Sequence, residues 1–269
     1  MHWQSATSTL LQSVISGARV GLVTDVDGTI SPIVEHPDAA QVTPRSRALL
    51  SDLRSHLALV AVISGRAAAD VRERVGIPDL VYVGNHGLEW WAGGRIEIAP
   101  EAAAFRPALE AALDAVRAEQ VPGMLVEDKG ATISVHYRQT ADPAAVHARL
   151  GPVFEDLAGQ HGLKLFQGRM VFEIRPPVDV NKGSAFHHLV ARHHLDAALY
   201  LGDDTTDVDA LRMARHLRET GACYAVGLGV ESANMPPAVR DNADLLASGV
   251  QDVESFLSWL LSACSASST

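Results

Sequence analysis

The segment Val20-Gly21-Leu22-Val23-Thr24-Asp25-Val26-Asp27-Gly28-Thr29 decides how the chain is read. A short apolar run that ends in carboxylates reads as a buried strand with chemistry at its exit. Two aspartates separated by one residue are poorly explained by packing. An Asp-Gly turn with both side chains in water is the plainer account. The functional account gives the acids different tasks. Asp25 attacks a phosphorus atom as nucleophile, and Asp27 protonates the leaving oxygen and later takes a proton from the hydrolytic water. Gly28 lets the backbone approach a phosphate closely.

Working outward, similar runs recur at 58–63, 81–83, 199–201 and 223–226, each followed by Gly or Ser. Helix-period segments, such as Pro44 to Leu53 and Ala67 to Val75, lie between them. Continuous apolar strands alternating with helices predict a parallel sheet covered on both faces, with ligands beyond the carboxyl ends of its strands. Three further elements fall at such ends or at helix starts. Ser64-Gly65-Arg66 offers a hydroxyl and a glycine N–H as a phosphate cradle, although Ser-Gly is also an ordinary turn. Asn181-Lys182-Gly183 puts a lysine at a helix N-terminus, where a cation is poorly placed unless an anion lies nearby. Gly202-Asp203-Asp204-Thr205-Thr206-Asp207 gathers three aspartates that would repel one another without a cation. Mg²⁺ suits such a set, because it takes oxygen ligands and needs few protein carboxylates. Helix capping is the plainer use of the same residues.

The chain has 269 residues, with 22 Lys+Arg against 32 Asp+Glu, for a formal charge of −10. That acidic excess argues against a nucleic-acid partner, which needs a basic footprint. It also means that an anionic substrate requires local positive charge, which Mg²⁺, Lys182 and Arg66 would supply. The two cysteines, Cys223 and Cys264, match no disulfide framework or metal-ligand spacing. The apolar run 57–63 is too short to span a bilayer. Leu10, Leu11, Val14 and Ile15 share one helical face, so the N-terminus reads as an amphipathic helix rather than a secretion signal, and a cytoplasmic location is expected.

The middle of the chain follows another rhythm. Helix 105–119, strands 124–128 and 132–138 about Lys129-Gly130, helix 143–160, and strands 163–166 and 170–175 about Gln167-Gly168-Arg169 give helix, hairpin, helix, hairpin. That order predicts an antiparallel sheet with helices on one face. A second α+β domain over 104–178 is therefore expected, inserted between core segments 1–103 and 179–269, with Pro176-Pro177 as a stiff boundary. Only 264–269 reads as a loose tail.

Taken together, the D-x-D-G-T, Ser, Lys and G-D-D-x-x-D elements resemble the haloacid-dehalogenase-like (HAD) phosphatases. The insertion resembles the αββαββ cap of the subgroup acting on sugar phosphates. Within it, the chain looks most like the trehalose-6-phosphate phosphatase family. The residues carrying that likeness include 84–89 (Gly-Asn-His-Gly-Leu-Glu), 126–130 (Val-Glu-Asp-Lys-Gly), 134–138 (Ser-Val-His-Tyr-Arg) and 173–176 (Glu-Ile-Arg-Pro). The resemblance implies an α/β, Rossmann-like parallel-sheet core with Asp25 as nucleophile and Asp27 as acid/base. Ser64 and Lys182 would hold the phosphate, with Arg66 also a substrate contact. Mg²⁺ would sit on Asp25, the main-chain oxygen of Asp27 and Asp203, with Asp207 on the metal or just behind it. Glu127, Lys129 and Glu173 would contact the sugar. Two positions depart from the family: Val26 stands where Phe is usual, and Val208 where an acid is usual.

The period of two puts Ser134, His136 and Arg138 on one strand face and Ile133, Val135 and Tyr137 on the other, while Glu173 and Arg175 oppose Phe172 and Ile174. The polar face is expected to meet the sugar, unless it merely faces water. Histidines 187, 188, 193 and 194 are read as helix surface and Cys223 as a buried strand residue. Trp90 and Trp91 are expected to pack at the domain junction. The expected activity is Mg²⁺-dependent hydrolysis of trehalose 6-phosphate by a monomer that binds neither nucleic acid nor membrane. Sucrose phosphate, mannosyl-3-phosphoglycerate, a trehalose-like secondary metabolite, phosphotransfer in place of hydrolysis, and a non-catalytic sugar-phosphate sensor stand as alternatives.

Overall fold

The computed structural model describes all residues except 35–39, 93, 169, 234 and 267–269. The chain divides into two compact units, Met1–Ile96 with Val180–Thr269, and Glu97–Asp179. The sequence places the start of the insertion at residue 104, later than this division. A short strand and helical turn before Phe105 account for the difference, because neither has a hydrophobic period to announce it.

In chain order the elements are α1 (Leu10–Ile15), β1 (Val20–Thr24), α2 (Pro44–Leu53), β2 (Leu59–Ile63), α3 (Ala68–Val75), β3 (Val81–Gly84), β4 (Glu89–Ala92) and β5 (Arg95–Ile98). The second unit then supplies α4 (Pro100–Ala103), α5 (Arg106–Ala118), β6 (Leu125–Asp128), β7 (Ile133–His136), α6 (Pro143–Gln160), β8 (Lys164–Gly168) and β9 (Val171–Arg175). The first unit is completed by α7 (Lys182–Arg192), β10 (Ala197–Gly202), α8 (Val208–Glu219), β11 (Tyr224–Val230), α9 (Pro237–Asn242), β12 (Leu245–Ala247) and α10 (Val250–Ala266). None of the described helices is long and apolar enough to cross a membrane.

The first unit is built on an eight-stranded sheet in the order β12-β11-β10-β1-β2-β3-β4-β5. Strands β12 through β3 are parallel and β4 runs antiparallel to β3. Every residue of β1, β2 and β10 is buried, which is why these segments read as unbroken apolar runs. Alternate side chains feed two cores. Leu22, Val60, Val62 and Leu199 join Leu11 of α1, Leu50 of α2 and Phe256 of α10 on one face. Val23, Ala61, Ile63 and Tyr200 join Phe186 of α7 and Leu211 of α8 on the other.

Strand β4 corrects one expectation. Trp90 and Trp91, expected together at one junction, point as consecutive strand residues to opposite faces of the first unit's sheet, Trp90 against the α7–α8 core and Trp91 against the α1–α2 core. Trp90 meets His188 edge-on at 5.0 Å, and the Arg72 guanidinium lies 4.5 Å from the Trp91 ring centre. The expected tail is also partly helix: Cys264 is buried within α10, and 267–269 lie outside the described residues.

The second unit is an antiparallel sheet in the order β6-β7-β9-β8. Ile133, Val135, Phe172 and Ile174 pack on Leu109 and Leu113 of α5 and on Leu150 and Phe154 of α6. Strand β8 runs on through Gly168, so the expected Gln167-Gly168-Arg169 turn begins too early; Arg169 lies outside the described residues. Strand β7 stops at His136, which leaves Arg138 exposed beyond the alternating stretch.

Candidate active site

Strand β1 lies between β2 and β10, where the strand order turns back on itself. That is the position at which open α/β sheets bind ligands, beyond the carboxyl ends. Asp25 follows β1, Ser64 follows β2 and Asp203 follows β10, so the sheet register alone brings three distant motifs together. The Asp25 N–H donates to the Leu201 carbonyl at 2.8 Å and extends the β1–β10 ladder by one step. Lys182 is the first residue of α7, whose start is fixed by reciprocal bonds between Asn181 and Ser184.

Lys182 is buried, and its Nζ lies 3.0 Å from Asp25 Oδ1 and 2.7 Å from Asp207 Oδ1. Asp207 is wholly enclosed. Its Oδ1 also accepts from the Tyr200 hydroxyl at 2.5 Å, and its Oδ2 accepts from the backbone N–H groups of Asp203 at 3.2 Å and Asp204 at 3.1 Å. This carboxylate therefore ties the lysine, strand β10 and the loop after it into one piece. The Thr29 hydroxyl faces Asp203 Oδ1 at 3.5 Å. Gly28 has φ +81°, and a Cβ there would fall 2.0 Å from Asp203 Oδ2, so this turn admits only glycine.

Asp27 is turned another way. Arg66 donates to it twice, from Nε at 2.6 Å and from the second terminal nitrogen at 2.9 Å. Arg66 also reaches Asp70 at 3.3 Å, and Asp70 in turn accepts from Arg74 at 2.8 Å. The arginine expected to meet substrate thus spends its guanidinium on two carboxylates here. Ser64 is buried, and its Oγ accepts from the Arg66 N–H at 3.2 Å.

The electrostatics follow from burial. Asp25 is pushed well above the usual carboxylate range by loss of water and by Asp207, Asp203 and Asp27, against the pull of Lys182. Asp203 is pushed up to about 7, first by burial and then by Asp207. The two aspartates hold Lys182 above its ordinary value despite its burial. Burial and the same carboxylates raise the Tyr200 phenol. Asp25, Asp203 and Asp207 can present oxygens within 4.8 Å of one another. Three buried acids with one lysine among them, all offering hard oxygen donors, fit a divalent cation. The Asp27 side chain is committed to Arg66, which leaves its main-chain oxygen as the donor it could offer.

Sequence reasoning did not single out Tyr200 or His86. Tyr200 had a signal, since a phenol inside a buried apolar strand needs a hydrogen-bond partner. His86 entered only as part of the 84–89 motif, without a role of its own: Asn85 and His86 both adopt positive φ, +47° and +58°, which only the backbone reveals. The His86 and Asn85 N–H groups donate to the carbonyls of Ser64 at 2.9 Å and Arg66 at 2.8 Å, and the buried Glu89 accepts from the Ala68 N–H at 3.0 Å. The 84–89 motif thus braces the 64–66 segment.

Within the second unit, Glu127, Lys129 and Glu173 do come together. Lys129 Nζ lies 4.0 Å from Glu127 and 3.8 Å from Glu173. His136 Nε2 stands 3.4 Å from Glu127, the Thr132 hydroxyl faces Glu173 at 3.4 Å, and Arg175 Nε donates to Glu173 at 2.9 Å.

A parallel sheet with carboxylates at its switch point, a buried lysine and an inserted antiparallel unit is the architecture of the haloacid-dehalogenase-like hydrolases. One of these, from Bacteroides thetaiotaomicron, superposes with a TM-score of 0.63 at 12% identity, covering 90% of this chain and 99% of that one. The C-terminal domain of Candida albicans trehalose-6-phosphate phosphatase superposes with a TM-score of 0.74 at 24% identity, covering 95% and 96%. The chain belongs to the trehalose-phosphatase family, whose model matches residues 23–236. A trehalose-phosphate phosphatase of Mycobacterium leprae is 38% identical over 82% of this chain and 53% of its own length. The chain thus spans about half the length of the curated relatives it matches.

Proposed function

We propose that the chain is a Mg²⁺-dependent phosphomonoesterase that hydrolyses trehalose 6-phosphate to trehalose and phosphate. Family membership supports the substrate. The observation that carries the chemistry is the buried Lys182 bridging Asp25 and Asp207 beside Asp203.

Lys182 holds Oδ1 of Asp25, which leaves Oδ2 to attack phosphorus. As that bond forms, the phosphorus–oxygen bond to the sugar breaks, and Asp27 gives its proton to the departing sugar oxygen. A water then attacks the aspartyl-phosphate, Asp27 takes the water's proton, and the bond from phosphorus to Asp25 breaks to release phosphate. Arg66 has to loosen its hold on Asp27 for the first proton transfer, and the arriving phosphate is an anion able to draw it away. Ser64 and Lys182 bind the phosphoryl oxygens. Mg²⁺, held by Asp25, Asp203 and the main-chain oxygen of Asp27, would neutralise charge on the phosphoryl group. Asp207 serves best as the anchor of Lys182, because its oxygens are already engaged. The second unit, read as the sugar-recognising part, binds the sugar through Glu127, Lys129 and Glu173.

The test is phosphate release from trehalose 6-phosphate, sucrose 6-phosphate, glucose 6-phosphate and mannosyl-3-phosphoglycerate, each with Mg²⁺ and with EDTA. Metal-dependent preference for trehalose 6-phosphate is the expected result. Preference for another sugar would move the substrate, and tight binding without release would make the chain a sensor.

A further inference from the structure

The sheet face of the second unit opposite α5 and α6 carries a row of residues in direct register. Glu127 pairs with Ser134, Ser134 with Glu173, and Glu173 with Phe166. Paired residues share a face, so all four side chains stand on the same side. At the spacing of neighbouring strands the row is about 14 Å long, more than one pyranose ring requires. Its first three members are polar and sit among Lys129, Thr132 and His136. The fourth is a phenylalanine on the edge strand β8, 45% exposed, and it joins none of the apolar clusters among the described residues.

Phe166 is held rather than loose. The Arg175 guanidinium carbon lies 4.8 Å from its ring centre, and Arg175 is itself paired with Glu173. A cation over the ring fixes its orientation, and the exposed remainder of the side chain can meet a ligand at little further entropic cost. An oriented aromatic at the end of a hydrogen-bonding row matches a hexose, which offers hydroxyls at its rim and a patch of C–H groups on its face.

We infer that Phe166, oriented by Arg175, is a platform for the pyranose ring of the substrate that does not carry the phosphate. The inference rests on reading the second unit as the sugar-binding part. On that reading the phosphorylated ring is recognised through its phosphate by Asp25 and Lys182, and the other ring, which offers only hydroxyls and a C–H face, depends on groups of the kind this row presents. Phe166 is then a specificity-determining residue: it rewards a disaccharide phosphate over a monosaccharide phosphate.

The experiment compares wild type, Phe166→Ala and Phe166→Trp on trehalose 6-phosphate, glucose 6-phosphate and p-nitrophenyl phosphate, with melting curves to confirm folding. Phe166→Ala is expected to raise KM for trehalose 6-phosphate about tenfold with kcat nearly unchanged, the scale of one aromatic contact. Phe166→Trp should keep the wild-type KM, and all three proteins should treat the two smaller substrates alike. An unchanged KM for trehalose 6-phosphate in Phe166→Ala, or an equal rise for glucose 6-phosphate, overturns the inference. Should wild type release phosphate from none of them, the hydrolase reading fails separately, and saturation-transfer NMR with trehalose decides the platform. Transfer seen with wild type and lost in Phe166→Ala sustains it; no transfer with wild type overturns it.

Discussion

Asp25 and Tyr200 show two grades of legibility at the scale of single residues. Asp25 could be singled out from the sequence because a carboxylate at the exit of an apolar strand is poorly explained by packing, and it lies buried beside Lys182. Its replacement by Asn keeps size and burial and removes the proposed nucleophile, so phosphate release is expected to fall at least about a thousandfold with the melting midpoint preserved. Tyr200 lies one face away from notice: its ring belongs to the core and only its hydroxyl to the site. Tyr200→Phe removes one donor from Asp207 and loosens the anchor of Lys182. Steady-state kinetics should show kcat down about tenfold with KM within about twofold, and unfolding should show a loss of about 1–2 kcal/mol. Equal kinetics in the two proteins would mean that Lys182 positions itself.

At the scale of elements, the buried parallel strands were legible because burial on both faces demands an apolar run, and β1, β2 and β10 are such runs. Strand β4 was not, since Glu89-Trp90-Trp91-Ala92 mixes a buried acid with aromatics whose two faces go to different cores. The connection after β3 was legible as a motif and opaque as a structure. Its His86 ring lies directly on Gly65, where an added Cβ would come within 2.6 Å of the ring. Gly65→Ala should therefore displace either the ring or the Ser64-Arg66 segment, and raise KM for the phosphate ester about tenfold or more. His86→Ala removes the obstruction, so the double variant is expected to regain part of the loss. A double variant no better than Gly65→Ala would show that the glycine is needed for its backbone and not for the histidine.

Across the whole molecule, net charge −10 had predicted local compensation, and the buried acids give that statement a measurable form. Asp203 is raised from an ordinary value of 3.8 to about 7 in the folded chain. Between those values the folded chain keeps a proton that the unfolded chain has lost, so stability without metal declines as pH rises through this window and stays low above it. In EDTA the melting midpoint should fall between about pH 4 and about pH 7, by a free energy on the order of a few kcal/mol. Mg²⁺ should cancel most of the fall, and Asp203→Asn should lessen it without metal, leaving the part that the buried Asp25 contributes. A flat profile for the wild type would count against a buried, uncompensated carboxylate. The interrupted core has a further consequence, in the order of synthesis. Strand β1 pairs on one side with β2, made soon after it, and on the other with β10, made only after the whole second unit. Asp25 and Ser64 leave the ribosome first, and Lys182, Asp203 and Asp207 follow after residue 180. A nascent chain can therefore finish its inserted unit while Asp25 still lacks Lys182. The proposed phosphatase site is completed late, by the last third of this sequence, and a chain truncated before Lys182 is expected to release no phosphate however well its inserted unit folds.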